Sequence, residues 1–211
     1  MKIVTIGSTK GGVGKSTLAA ALAVRACKDY ARVAIVDLDA QQSLVDWCKK
    51  RPDKNAPEVF GGEFDPAEAV KKLELSGWDI AFLDTPPSFL DIIGEAAAVS
   101  DLMVIPLRPS MIDLKSTVAA VLHAKAAQVP VLCVFNDVIA NDGEATLNGC
   151  RTVIERSQIP VSATVIYHRV AHINGFGAGQ TAAEYKTKDQ KAAAEINSLW
   201  LDIKSRLERT K

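Results

Sequence analysis

The stretch KIVTIGSTKGGVGKST, residues 2–17, decides the reading of this chain. Lys2 to Gly7 reads as a strand, and a helix is expected to run from Lys15 to about Asp29. Between them lie Gly11, Gly12 and Gly14. A glycine-rich loop that follows a strand and opens a helix makes a phosphate cradle. The glycines let the backbone curl so that successive N–H groups point inward, and the helix start adds the positive end of its dipole. Lys15 supplies a point charge for the β- and γ-phosphates of a nucleotide, and the Ser16 hydroxyl is placed to hold Mg²⁺. Gly11, Gly12, Val13, Gly14, Lys15, Ser16 and Thr17 are therefore the expected nucleotide-binding residues. The common form of this loop, GxxxxGK[ST], has glycine where this chain has Thr9, and a second lysine, Lys10, follows.

Outward from the loop, strand-like and helical runs alternate. RVAIVD precedes a helix near Ser43 to Arg51, and a looser stretch rich in Pro and Gly occupies Asn55 to Asp65. A helix from about Pro66, the strand IAFLD ending at Asp84 and a helix near Leu90 to Val99 come next. LMVIPL, a long helix from about Ile112 to Gln128, VLCVFN, a helix near Glu144 to Ser157 and ATVIY complete the pattern. Several of the strands are continuous apolar runs, as expected when helices cover both faces of a parallel sheet. The expected fold is an α/β three-layer sandwich with a mostly parallel, doubly wound sheet, in one domain over residues 1–211. Ligands of such sheets sit beyond the carboxyl ends of the strands, where Ser8, Asp37, Asp84 and Asn136 fall.

Bulk properties narrow the function. Apolar residues at 48% and charged residues at 24% are ordinary globular values, which argues against a disordered scaffold. Lys plus Arg balance Asp plus Glu at 25 each, so any attraction to nucleic acid or acidic membrane must be local. The longest apolar runs are far short of the roughly 20 residues that span a bilayer, so no transmembrane helix is expected. The chain opens directly as a strand without a secretory leader, which points to the cytoplasm. Cys27, Cys48, Cys133 and Cys150 lack CxxC spacing and read as reduced thiols. His168 and His172 stand four apart in HRVAH without the Glu of HExxH, and read as ordinary surface or loop histidines.

The residues Lys10 to Thr17 resemble the deviant Walker A motif, KGGxGK[ST], of the family that includes ParA-type partition ATPases, MinD, the nitrogenase iron protein and arsenite-pump ATPases. The resemblance covers nearly the whole chain and implies a P-loop ATPase that uses ATP and Mg²⁺. It also implies that Lys10 reaches across a dimer interface to the partner's nucleotide, so that ATP is sandwiched in a homodimer. VDLDAQQS looks like the ParA-type signature, in which Asp39 positions the attacking water. Asp37 can join the Mg²⁺ shell through water, or a strand-end aspartate here can cap the next helix. Asp84, followed by Thr85-Pro86-Pro87, looks like a Walker B aspartate that holds Mg²⁺ through water. Asn136 lies where family members carry an adenine-contacting polar residue, and the lack of NKxD there favours ATP over GTP. IPLRPSMIDL, with Arg108, Pro109, Ser110 and Asp113, is similar to a ParA stretch near the nucleotide and dimer face, without a catalytic role. GFGAGQT, Gly175 to Thr181, reads as a flexible loop before a late glutamate, Glu184.

Within the family the chain looks closest to the small, ParF-like branch of ParA proteins. That implies an ATP dimer that binds nonspecific DNA, becomes nucleoid-associated in that state and positions plasmid or chromosomal cargo. A ParB-like or other small DNA-binding adaptor would stimulate slow hydrolysis. Arg151, Arg156, Arg169, Lys186, Lys188 and Lys191 are candidates for a phosphate-binding face. The alternative is a MinD-like ATPase cycling on membranes, with the stripe Ile196, Leu199, Trp200, Ile203 and Leu207 as an interfacial anchor; core packing is the plainer use of that stripe. A reductase or metal-handling role would need cysteines at a dimer face, which the four present do not suggest.

Overall fold

Seven strands alternate with eight helices in the computed structural model, which describes residues 1–53, 57–87, 89–140, 144–185 and 189–209. The strands are β1 (Lys2–Ile6), β2 (Val33–Asp37), β3 (Glu58–Gly61), β4 (Ile80–Asp84), β5 (Leu102–Leu107), β6 (Val131–Val138) and β7 (Val161–Tyr167). They form one sheet in the order β3-β2-β4-β1-β5-β6-β7, and every neighbouring pair is parallel. The helices are α1 (Lys15–Ala26), α2 (Ser43–Lys49), α3 (Pro66–Leu75), α4 (Leu90–Ala98), α5 (Met111–Ala126), α6 (Glu144–Arg156), α7 (Val170–Gly177) and α8 (Gln190–Arg209). The expected three-layer, doubly wound α/β sandwich is the fold observed.

Alternation along the strands explains the layers, because successive side chains point to opposite faces. Val4, Ile6, Ile35, Phe82, Val104 and Val134 face one side, where α1 and α8 cover them with Leu18, Leu22, Leu199, Trp200 and Ile203. The other face divides in two. Ile3, Val36 and Leu83 meet Val70 and Leu73 of α3, while Ile105, Cys133 and Phe135 meet Leu114 and Val121 of α5 and Ile154 of α6. Both faces of the central strands are thus dry, which is why their sequences read as unbroken apolar runs.

β1 lies between β4 and β5, where the winding of the sheet reverses. The loops after these three strands therefore stand side by side at one edge. This is the crevice in which open α/β sheets bind ligands.

The structure corrects two local expectations. The stretch expected to be loose contains β3, a four-residue edge strand that pairs with β2. Its pattern is weak because it is only half covered, and it ends at Gly61, where a Cβ would lie 2.1 Å from Val45 of α2. Glycine there signals close helix-to-strand packing rather than a loop. Likewise GFGAGQT begins inside a helix, since α7 runs through Gly177. Gly175 is buried against the backbone of Thr181, 3.0 Å from where its Cβ would be. The close return of the chain selects glycine and hides the helical pattern.

The C-terminal stripe packs as core. Ile196, Leu199, Trp200, Ile203 and Leu207 are all buried in α8, so they are not displayed as an anchor for a membrane. Among the described residues, no helix is long and apolar enough to cross a bilayer.

Candidate nucleotide site

The loop between β1 and α1 is shaped by two glycines in the left-handed region, Gly12 at φ 73° and Gly14 at φ 83°. A side chain would be strained at either. At Gly14 a Cβ would also fall 2.5 Å from Nδ2 of Asn136. Gly14 is the residue before α1, and its carbonyl accepts the first helical hydrogen bond from Leu18 N at 2.9 Å. The N-cap of α1 is glycine, so no side chain covers the first N–H groups of the helix, and helix starts of this kind can face an anion.

Lys15 arches back over this loop and donates from Nζ to the carbonyl of Lys10 at 3.2 Å. It is a buried lysine, and burial pushes its pKa below the usual range while Asp84 and then Asp39 pull it up. A desolvated ammonium facing anionic oxygens is a strong partner for phosphate.

Ser16 turns the other way, and its Oγ donates to Oδ2 of Asp84 at 2.6 Å. The second oxygen of Asp84, Oδ1, is buried without a hydrogen-bond partner. Burial pushes the Asp84 carboxyl up to about 7; the Ser16 hydrogen bond opposes this and Asp37 adds to it. An unpartnered carboxylate oxygen beside a serine hydroxyl is the donor set of a hydrated hard cation, so these residues fit Mg²⁺.

Asp37 and Asp39 end up in different surroundings. Asp37 is buried, and its Oδ2 accepts from Leu44 N at 2.9 Å and Val45 N at 3.3 Å, while Oδ1 accepts from Asp39 N at 3.2 Å. The helix-capping use of a strand-end aspartate is realised at Asp37, on the first turn of α2. Burial raises its pKa against these backbone donors. Asp39 is half-buried, accepts from Gln41 N at 3.0 Å, and is close enough to act electrostatically on Lys15.

Asn136 lies beneath the loop, where its Nδ2 donates to Val13 O at 2.6 Å. This hydrogen bond fastens the loop to the end of β6. Beside it opens a cavity of about 300 Å³ lined by Gly12, Gly14, Thr17, Asn136, Tyr167 and His168 among others.

Three residues that the sequence reading left without a role form a brace at the mouth of this cavity. Arg108 donates to Gly12 O at 2.7 Å and, through the same Nη2, to Asp137 Oδ2 at 2.5 Å. His168 Nδ1 meets Asp137 Oδ1 at 2.6 Å. Asp137 adopts a left-handed φ of 59°, a conformation that aspartate tolerates better than most residues. No sequence signal joins these positions, which lie on different elements.

Lys10 is held within its own subunit. Its Nζ pairs with Oδ1 of Asp113, a buried carboxylate on the first turn of α5. Burial alone would raise the Asp113 carboxyl, but Lys10, the Arg108 N–H and Ser110 together hold it below the usual range.

Among the described residues, the basic residues expected to form a phosphate-binding face differ in their surroundings. Arg169 is paired with Glu195 and, at 3.8 Å, with Asp189. Arg151 donates to Ser162 O at 2.8 Å with its guanidinium over the Phe135 ring. Arg156 and Lys191 are exposed, and Lys186 and Lys188 lie outside the described residues. His172 is half-buried on α7, where burial lowers its pKa.

Residues 4–180 match the model of the CobQ/CobB/MinD/ParA nucleotide binding domain. The chain is 30% identical over 120 residues to protein VirC1 of Rhizobium rhizogenes, covering 54% of this chain and 52% of that protein. It is 28% identical over 118 residues to protein ParA of Rhizobium radiobacter, covering 54% and 51%. These matched segments span about half the length of the curated relatives. In fold it is similar to the septum site-determining protein MinD of Pyrococcus horikoshii complexed with Mg-ADP, with a TM-score of 0.74 at 22% identity over 100% of this chain and 98% of that one. With a glycine-rich loop at residues 10–17 between β1 and α1 of a doubly wound parallel sheet, this chain belongs to the CobQ/CobB/MinD/ParA nucleotide-binding domain family.

Proposed function

We propose that this chain is a ParA-type ATPase that works as a switch: it binds Mg-ATP, pairs with a second copy across the loop edge, and in that state binds DNA without sequence preference to position cargo. The observation that carries the reading is the pair of lysines in one phosphate loop. Lys15 is turned inward over the loop, while Lys10, with a side chain 35% exposed, pairs with Asp113 on a neighbouring element. An inward lysine suffices for binding; a second one at the rim suits a partner's nucleotide.

Apolar side chains near that rim support the pairing. Phe89, before α4, is 61% exposed, and Met111 and Ile112, at the start of α5, are 60% and 73% exposed. They follow β4 and β5, the strands that flank β1. Large exposed apolar groups beside a site mark surfaces that are covered in a complex.

In the proposed reaction, Mg²⁺ would supply charge neutralisation at the nucleotide phosphates. Lys15 binds the same phosphates, Ser16 and Asp84 would hold the metal, the latter through water, and Asp37 fixes the turn that carries Asp39. Asp39 orients the attacking water and draws on its proton. Without a partner to complete the arrangement hydrolysis is slow, and a small DNA-binding adaptor of the ParB kind would accelerate it. Loss of the γ-phosphate then releases the dimer.

The test is binding to random-sequence duplex DNA at several salt concentrations, with Mg-ATP, with Mg-ADP and without nucleotide, using Lys15→Ala as the control. Binding confined to wild type with Mg-ATP, and weakening steeply with salt, is the expected result. Absence of binding in every state, together with ATP-dependent binding to anionic liposomes, would replace this reading by the membrane-cycling one.

A further inference from the structure

Asp113 sits where a mobile cation meets a fixed anion. The Asp113 side chain is 2% exposed, whereas the Lys10 side chain is 35% exposed. Asp113 is pinned by its own helix: its backbone N–H donates to Ser110 Oγ at 3.1 Å, Ser110 Oγ donates to its Oδ1 at 3.0 Å, and Arg108 N donates to its Oδ2 at 3.1 Å. Ser110 thus caps the first turn of α5 and at the same time donates its hydroxyl to the Asp113 carboxylate. The residue before Lys10 is tied to the same helix, since Thr9 Oγ1 donates to Ser116 O at 2.9 Å. The lysine side chain can swing away; the carboxylate cannot follow it.

We infer that Asp113 is a positioning residue for Lys10: it holds the ammonium on its own subunit and sets how much nucleotide triphosphate is needed before Lys10 is given up to a second copy of the chain. The inference rests on the cross-subunit role proposed for Lys10. When Lys10 leaves, a buried carboxylate loses its counter-ion, which is costly in a poorly solvated site. The phosphates of the partner's nucleotide must exceed that cost. The cost is the same for either nucleotide, and because a triphosphate offers more charge than a diphosphate, it is the triphosphate that exceeds this common threshold first. A ligand shifts such an equilibrium only by its difference in affinity for the two states, and Asp113 adds to the side of the free subunit.

The test is dimerisation followed by light scattering across a titration of Mg-AMPPNP, in wild type, Asp113→Asn and Lys10→Ala. The asparagine keeps an acceptor for the Arg108 N–H and removes the charge. Asp113→Asn is expected to reach half-dimerisation at a nucleotide concentration about fivefold or more below wild type, the low end of usual couplings between linked equilibria. In the nucleotide-free protein, acylation of Lys10 by an N-hydroxysuccinimide ester, read by peptide mass spectrometry, should be faster in Asp113→Asn than in wild type. A merely structural aspartate would leave that rate unmoved. If Asp113→Asn fails to fold, Asp113→Ser is read in the same two assays. An unchanged or raised midpoint in the uncharged variant, with Lys10→Ala unable to dimerise, overturns the inference and leaves the proposed function standing. Dimerisation of Lys10→Ala at the wild-type midpoint overturns the cross-subunit reading itself, and the inference with it.

Discussion

Asp37 and Asp39 stand two residues apart, yet the fold gives them different work. Both oxygens of Asp37 are taken by backbone N–H groups of the turn and of α2, whereas Asp39 is half-buried at the loop edge within electrostatic reach of Lys15. Replacing Asp39 by Ala should therefore leave ATP binding near its wild-type strength and lower the hydrolysis rate by about 10²-fold or more, the usual range for a positioned acid–base group. Single-turnover hydrolysis, with binding measured separately, checks this; an unchanged rate removes Asp39 from the reaction. The adjacency of Lys15, Ser16 and the glycines was legible in the sequence because one continuous loop carries them. Asp84 was legible because an apolar strand ends there. The Lys10–Asp113 pair and the brace of Arg108, Asp137 and His168 were not, since their members come together only through the winding of the sheet. Asn136 was picked out by its strand-end position, but its hydrogen bond to Val13 needed the folded loop to be seen.

Among the elements, α8 has the most to explain. Its apolar stripe was legible from helical spacing, but spacing alone did not say whether core or membrane would cover it. Packing on α1 and the central strands decides for core. Leu199→Ala should cost about 2–5 kcal/mol of stability, as large-to-small changes at fully buried sites do, and a urea melt measures it. A stripe that served only to touch a membrane would leave the melt unchanged.

The same helix is clamped to the end of α1 by Asp29, which accepts from Trp200 Nε1 at 2.9 Å and Lys204 Nζ at 3.0 Å. Those donors, with Arg25, hold the Asp29 carboxyl down to about 2 from an ordinary 3.8. A folded-state pKa below the unfolded one stabilises above the unfolded value and loses that stabilisation as pH falls through the folded one. Asp29→Asn should accordingly lower the Tm at pH 7 and flatten the drop in Tm between about pH 4 and pH 2. Thermal melts across that range test it; parallel curves for wild type and variant would show that the clamp does not act through the carboxylate. By contrast, β3 and α7 escaped the sequence because each is short, and because Gly61 and Gly175 serve close approach rather than turns.

At the scale of the molecule, the sheet order brings the loops after β4, β1 and β5 to one edge, and with them Lys10, Lys15, Asp84 and the exposed Phe89, Met111 and Ile112. The alternating strands and helices made this architecture legible, because a parallel sheet covered on both faces writes itself as apolar runs separated by amphipathic ones. Pairing across that edge was legible only through the second lysine of the loop. The most direct test is the molar mass of the wild-type protein by light scattering with Mg-ATP, with Mg-ADP and without nucleotide, under conditions where hydrolysis is negligible over the measurement. A dimer with Mg-ATP and a monomer in the other two states is the predicted result; a monomer in all three, at protein and nucleotide concentrations that saturate the site, would contradict the switch.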